Sequence, residues 1–479
     1  LNLKGRRKEM ENQEKYDRKL PMTVKMGFGI ANLGDTIITE FVGAFLIFFL
    51  TNIAGIRPAL AGTIVFIGVM WDAVSDPVIG TMSDRCKLKA GRRRPFLLIS
   101  VVPIIVFTML LFTAVDVSAG MKFVYFTVMT IFYWTSYTLF NIPYLSLGSE
   151  LTTNNDEKTR ASSIRQVFGT FGLLFANALP LLLVTAFKNM GVTEVRAWML
   201  AALTLGFIAG LAILITWRST RGWEIRYQPQ DKSEPLLKSL GKVLTYKPYI
   251  LIIAASFLFY FAFNTCNATV IYNALVVVGA TEADTAIVYT SGTIVGVILS
   301  MLVGKLAVKY DKKYVFIIFM AIAGVSLSAF KLIGFHSITM QAVQFCMAHF
   351  GIISFLVLSY NLLYDTCEVY EFRCGEMLTG VMISYFSFFI KLGKATALQV
   401  VGLILEARGY QAELAVQPDS AKAAVTDMSS WIPGVLMLLC ALVIWRYPVT
   451  REKFRAMQEA KKLKLAGQDY STKEFEDIL

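Results

Sequence analysis

The chain has 479 residues, of which 56% are hydrophobic, 13% aromatic and only 17% charged. Soluble domains carry about 25% charged residues. Here the apolar residues come in runs of about twenty, which excludes a soluble globule and indicates a polytopic helical membrane protein. The net charge of +12 is concentrated in alternate loops, as the positive-inside bias requires, and argues against a nucleic-acid partner.

Residues 1–23 are polar, hold seven Lys/Arg and have no apolar core. They read as a cytoplasmic N-terminal segment rather than a signal peptide. Apolar spans follow at 24–50, 60–82, 96–116, 121–147, 164–187 and 196–217. A polar central loop, 218–248, separates them from spans at 249–278, 284–307, 314–334, 340–363, 379–406 and 428–446. The tail 447–479 is charged and reads as a helix followed by disorder. Most of the 46 Lys and Arg fall on the side shared by both termini. That side is therefore cytoplasmic and the span number even, so twelve is expected. The domains expected are a six-helix bundle at 24–217 and another at 249–446.

A weak repeat links the two halves. Gly80-Thr81-Met82-Ser83-Asp84-Arg85 ends span 2, and Gly304-Lys305-Leu306 through Asp311-Lys312-Lys313 ends span 8. A parallel repeat about the membrane normal gives this correspondence. The fold class read from it is an all-α, twelve-helix membrane protein of major facilitator type.

Charges inside the spans mark the candidate site, because an acid at a helix centre costs at least ~2.5–3.5 kcal/mol. Asp72 and Asp76 in span 2 are four apart, on one face and about 6 Å apart along the axis. Ser75 lies beside them, and Pro77 frees a backbone carbonyl. Two carboxylates, a hydroxyl and a carbonyl make an oxygen site for Na⁺ or for a shared proton. The alternative is a purely structural pairing with interhelical bases. Asp35 sits mid-span in Asn32-Leu33-Gly34-Asp35-Thr36-Ile37-Ile38-Thr39. Arg165 opens span 5, and Lys391 lies in Phe388-Phe389-Ile390-Lys391-Leu392-Gly393-Lys394. Such opposite charges either neutralise one another or bind a hydroxyl-rich solute. Span 4 adds Tyr133, Trp134, Tyr137, Thr138 and Asn141 before Pro143. Thr138 and Asn141, three apart, are expected on one face as further oxygen ligands, and the aromatic residues can stack on a sugar ring. Asp365, Glu368 and Glu371 end span 10 and are expected to gate by pairing with Arg92, Arg93, Arg94 or Lys312 in one conformation. Six cysteines lack a CxxC pair and there are only two His. An enzyme is not expected, since no nucleophile–base pair or metal-spaced cluster is visible.

At Trp71-Asp72-Ala73-Val74-Ser75-Asp76-Pro77 with Gly91-Arg92-Arg93-Arg94-Pro95-Phe96, the chain resembles the glycoside–pentoside–hexuronide:cation symporters. This branch of the major facilitator superfamily includes the melibiose permease. The resemblance implies a cation site at Asp72 and Asp76 with Thr138 near it, sugar binding at Asp35 and Arg165, and Lys391 by the cation site. It implies Na⁺ or H⁺ as coupling ion, no other cofactor, a sugar as solute and a plasma-membrane location. A monomer in the lipid bilayer is expected. Asn141 stands where the melibiose permease has an aspartate touching sugar and cation, and Leu145 where a tryptophan is expected. The span 10 pattern departs at Glu368 and Val369, and the following motif is altered to Arg373-Cys374-Gly375-Glu376-Met377-Leu378-Thr379-Gly380. One acid fewer near Arg165 and Lys391 favours an anionic sugar such as a uronide. Alternatives are a lysolipid symporter of the same superfamily and a non-transporting nutrient sensor.

Overall fold

The computed structural model describes residues 19–84, 86, 88, 91–152, 154–224, 243–375, 378–414, 416–465 and 468–479. Most of the expected N-terminal segment (1–18) and of the central loop (225–242) lies outside the described residues.

The described chain is helical. The helices are α1 (Met22–Phe48), α2 (Pro58–Asp84), α3 (Arg94–Leu111), α4 (Ala119–Glu150), α5 (Asn155–Asn189) and α6 (Glu194–Ser219). They continue with α7 (Lys247–Tyr272), α8 (Glu282–Lys309), α9 (Lys312–Ile333), α10 (Ile338–Cys374), α11 (Thr379–Ala407), α12 (Asp419–Ser429), α13 (Trp431–Trp445) and α14 (Arg451–Leu465). Eleven stretches among the described residues are long and apolar enough to cross a membrane, with α12 and α13 together forming one of them. Two helices lie outside that set, the charged 15-residue α14 and α4. α4 has 32 residues, enough to span, and its composition is diluted by Tyr, Trp, Thr, Ser and Asn. With α4 counted, the described residues contain the twelve expected spans.

Local signals explain several boundaries. Asn154 caps α5 by accepting from the Glu157 N–H at 3.1 Å, and Thr281 and Asp284 form a reciprocal box at the head of α8, satisfying otherwise orphaned donors. α10 runs well beyond the apolar stretch at 340–363 and stops only at Gly375, whose φ of 69° suits a glycine cap. α3 ends at Leu111, short of the expected 116.

The chain forms two compact units, Leu1–Asp231 and Lys232–Leu479. In the first, α1 packs on α5 and α6, α4 on α2 and α3, and α3 on α6. In the second, α7 packs on α11 and α13, α10 on α8 and α9, and α9 on α13. Shifting every label by six helices, with α13 as the last span, turns one pattern into the other, which is how a parallel repeat is built. The tail departs from expectation. α14 is a helix, but the end of the chain packs: Phe475 and Ile478 are buried in the core of the second unit.

Candidate functional site

Close helix approach sets the geometry in the first unit. A Cβ at Gly68 would lie 2.1 Å from Thr130 Cγ2 and 2.8 Å from Trp134 Cδ1, so glycine there lets α2 press against α4. One turn later the contact becomes polar. Asp72 is 2% exposed, and Thr138 Oγ1 donates to its Oδ1 at 2.8 Å. Ser75 Oγ lies 2.9 Å from Thr138 Oγ1 and 3.1 Å from the Asp72 carbonyl oxygen. Asp76 is half-buried, four residues along the same face. Pro77 lies inside the helix and has no N–H for the carbonyl of Ala73. Carboxylate, hydroxyl and carbonyl oxygens thus succeed one another along a short stretch of α2. Hard cations take this donor set, and paired carboxylates equally take a proton.

α1 and α5 meet in the same way. A Cβ at Gly172 would lie 2.8 Å from the Leu33 carbonyl oxygen and 2.9 Å from Thr36 Cβ. Asn32 Nδ2 donates to the Arg165 carbonyl at 3.0 Å, which fixes α5 against the polar part of α1. The Arg165 charge acts on Asp35. Asp35 also accepts from Asn141 Nδ2 at 3.1 Å and is hydrogen-bonded to the Tyr137 side chain.

α4 therefore stands between the two sets of acids. Tyr137 and Asn141, one turn apart, serve Asp35 on α1. Thr138, adjacent to Tyr137 and about 100° around the helix, serves Asp72 on α2. Thr138 and Asn141, expected together as oxygen ligands, make side-chain bonds to different helices, Thr138 to Asp72 of α2 and Asn141 to Asp35 of α1. Tyr133 and Trp134 pack beside them. The Tyr133 hydroxyl donates to the Ile38 carbonyl at 2.9 Å, and Trp134 meets the Tyr137 ring edge-on at 5.4 Å.

The basic turn after α2 is organised by two acids that the motif reading passed over. Glu150, at the end of α4, accepts from Arg92 Nη2 at 2.5 Å and Arg93 Nε at 3.0 Å. Glu224 Oε1 accepts the backbone N–H groups of Arg92 and Arg93, each at 2.6 Å. Burial pushes the Glu224 carboxyl up, against the pull of those N–H groups. Gly91 has φ 118°, and a Cβ on it would sit 1.9 Å from Glu224 Oε2, so only glycine fits the turn. Arg94 donates to the Trp217 carbonyl through Nε at 3.2 Å and Nη2 at 2.7 Å.

In the second unit, Lys391 is half-buried on α11, beside the Gly393 contact with Phe257 of α7. Asp365 pairs with Lys312. Glu368 and Glu371 pair with Lys461 of α14, at 3.5 and 3.3 Å. The ion pairs seen for Arg92, Arg93, Asp365, Glu368 and Glu371 thus lie within their own units. Lys461 was invisible to motif reading, since a charged tail helix gives no sign of which face it covers. Glu150 sat three residues past the last apolar turn of α4 and had a signal: an acid at the end of a span facing a triple-Arg turn.

Comparison with known proteins agrees with this architecture. The family model described as MFS/sugar transport protein matches residues 27–451. The isoprimeverose transporter of Lactiplantibacillus pentosus is 26% identical over 440 residues, covering 91% of this chain and 90% of that protein. The glucuronide carrier protein homolog of Escherichia coli is 24% identical, covering 92% and 95%. Among solved structures, a bacterial homologue of the human lysosomal transporter Spinster superposes with a TM-score of 0.67 at 13% identity, covering 88% of this chain and 97% of that one. The xylose transporter XylE from Escherichia coli gives 0.63 at 16%, covering 92% and 99%. At these identities the structures bear on the fold alone.

Proposed function

Because the chain belongs to the MFS/sugar transport protein family, we propose that the oxygen site of α2 binds the coupling ion and the Asp35 site of α1 binds the sugar. The protein is a multi-pass secondary transporter that moves a sugar together with a cation. Asp72, Asp76, Thr138 and Ser75 hold Na⁺ or H⁺. Asp35 accepts from sugar hydroxyls, Arg165 and Lys391 donate to them, and Tyr137 and Asn141 orient Asp35. Asn141 acts on the sugar side rather than as a cation ligand.

One observation carries this assignment. Adjacent residues of α4 hold the two acids, Thr138 on Asp72 and Tyr137 and Asn141 on Asp35. A cation on Asp72 and Asp76 removes a repulsive buried charge pair. It also competes for the Thr138 hydroxyl, and the response of α4 reaches Asp35 through less than one helical turn. A cation that binds the sugar-ready arrangement better shifts the population toward it. Alternating access follows, with the acids of α10 and the basic turn after α2 as gate elements. The termini lie in the cytoplasm and the protein works as a monomer in the plasma membrane.

The test is uptake of a panel of labelled glycosides and uronides into vesicles, with Na⁺ and pH gradients imposed separately. Asp76→Cys is expected to abolish gradient-driven accumulation while sugar exchange survives. Accumulation at the wild-type level would remove Asp76 from the cation site.

A further inference from the structure

The outer face of α9 ends in a basic and aromatic collar that the sites above leave unused. α9 packs on α10 and α13, and Phe316, Phe319, Met320, Ala323 and Leu327 of its inner face are buried in the core of the second unit. Tyr314, Ile318, Ile322, Val325 and Leu332 are exposed. Their i, i+4, i+8, i+11, i+18 spacing makes one stripe down the helix. Both α8 and α9 are long and apolar enough to cross a membrane. In a bilayer such a stripe meets acyl chains, and the turn between the two helices comes to the level of the headgroups.

The stretch 305–314, which brackets that turn, suits an anion. Lys305 and Lys309 are exposed and, four residues apart, lie on one side of α8. Among the described residues the acids of this end are engaged elsewhere. Lys312 pairs with Asp365 and Lys453 with Asp477, and Asp311 accepts the backbone N–H groups of Lys313 and Arg451 at 2.8 and 2.9 Å. Arg451 also donates to the Val308 and Lys309 carbonyls at 3.0 and 3.4 Å, which covers the negative pole of α8. Glu452, exposed beside Arg451, is outnumbered by Lys305, Lys309 and Arg451. Lys309 Nζ lies 5.2 Å from the centre of the Tyr310 ring, and Lys313 Nζ 5.7 Å from that of Tyr314. Both rings are 52% exposed, and Val308 beside them is 76% exposed. A Cβ at Gly304 would meet nothing within 4 Å, so the surface beside Lys305 is open. Ammonium groups supply charge to a phosphate and phenol hydroxyls donate to it, and both residue types collect where apolar faces reach the headgroups. We propose that the α8–α9 turn binds an anionic phospholipid. Its phosphate sits on Lys305 and Lys309, the Tyr310 and Tyr314 hydroxyls donate to it, and an acyl chain runs along Ile318, Ile322 and Val325. A soluble anion would leave the stripe uncovered, and a zwitterionic lipid would bring its own cation to the lysines.

Photo-cross-linking locates the lipid. The full chain is reconstituted with phosphatidylglycerol or with phosphatidylcholine, each carrying the same photoreactive group in an acyl chain, and illuminated. Tryptic cleavage after Lys313 and Lys331 then releases residues 314–331, the peptide that carries the stripe. The wild type is expected to cross-link phosphatidylglycerol on that peptide in preference to phosphatidylcholine by at least about fivefold, the worth of one basic residue near an anionic surface. The double variant Lys305→Gln/Lys309→Gln should bring the two lipids close to parity there. Arg455→Gln/Lys462→Gln, which removes two exposed charges from α14 and gives the same net charge, should keep the wild-type preference. Equal labelling by both lipids in the wild type overturns the proposal. So does a preference that survives in Lys305→Gln/Lys309→Gln, or one that falls equally in the α14 variant, since charge anywhere on that surface would then suffice. Should the double variant fail to reach the membrane, Lys309→Gln alone is read in the same way.

Discussion

Thr138 has one hydroxyl proton and three neighbours that accept it: Asp72 Oδ1 at 2.8 Å, the Trp134 carbonyl at 3.0 Å and Ser75 Oγ at 2.9 Å. A bond to a charged acceptor is the strongest of these, about 1.5–3 kcal/mol. With the proton on Asp72, the Thr138 lone pairs can take the Ser75 proton, and the three side chains form one polar unit. A bound cation would turn Thr138 from a donor to Asp72 into an oxygen ligand. Thr138→Ala is therefore expected to raise the cation concentration for half-maximal uptake about tenfold, with Thr138→Ser close to wild type. Uptake rates measured against Na⁺ and against pH check this. A loss confined to sugar affinity would place Thr138 on the wrong site. The acids were legible at this scale because hydrocarbon makes any carboxylate conspicuous. Their partners were less so. Periodicity shows that Thr138 and Asn141 share a broad face, but it cannot say that α1 meets one edge of that face and α2 the other.

At the scale of elements, close approach depends on small residues and its alignment on polar ties outside the apolar zone. The head of α5 is the example. Glu157 accepts from the Leu20 N–H at 3.0 Å and pairs with Lys25 Nζ at 2.7 Å and Arg160 Nη1 at 3.2 Å. It joins the start of α1 to the start of α5, two turns before Arg165. The bond from Lys25 is the largest cause holding the Glu157 carboxyl below its ordinary 4.5. A folded-state value below the unfolded one stabilises the fold above the unfolded value, and the contribution is lost as pH falls through the folded value. Thermal unfolding in detergent should thus be insensitive to this group above about pH 4.5 and weaken below it. Glu157→Gln should unfold at a lower temperature at neutral pH, and its curve should converge on the wild-type curve in acid. Parallel curves across pH 7 to 4 would show that the tie contributes no ionic stability. Helix existence was legible from apolar length alone. Helix ends were not, because α5 and α10 extend past hydrocarbon on caps and ion pairs that a hydropathy window cannot register.

On the scale of the whole molecule, each unit repeats one packing pattern, and among the described residues the second also takes the tail residues Phe475 and Ile478 into its core. Its core includes Tyr246, Tyr370 and Phe372 together with Phe475 and Ile478. The Tyr246 hydroxyl donates to the Ile478 carbonyl at 2.8 Å, Phe372 meets Phe475 edge-on at 5.8 Å, and Lys453 pairs with Asp477. The charged tail gave no hint of this, since two isolated apolar residues among acids have no period. Yet those two residues are fully withdrawn from solvent, and burying side chains of this size contributes about 1.5–3 kcal/mol each. The hydrogen bond adds about 1 kcal/mol. Through α14 the same tail also holds Lys461 on Glu368 and Glu371, so the packed end and the acids of α10 are one mechanical assembly. Removing residues 475–479 is expected to destabilise the second unit by about 4–7 kcal/mol. Tyr246→Phe should cost about 1 kcal/mol, because it deletes the bond and leaves the ring in place. Unfolding of the purified full chain and of both variants in detergent separates these two magnitudes. Equal stability of the truncated and full chains would mean that the tail rests on the core without belonging to it. In that case the Lys461 pairs would be surface contacts of little energetic consequence.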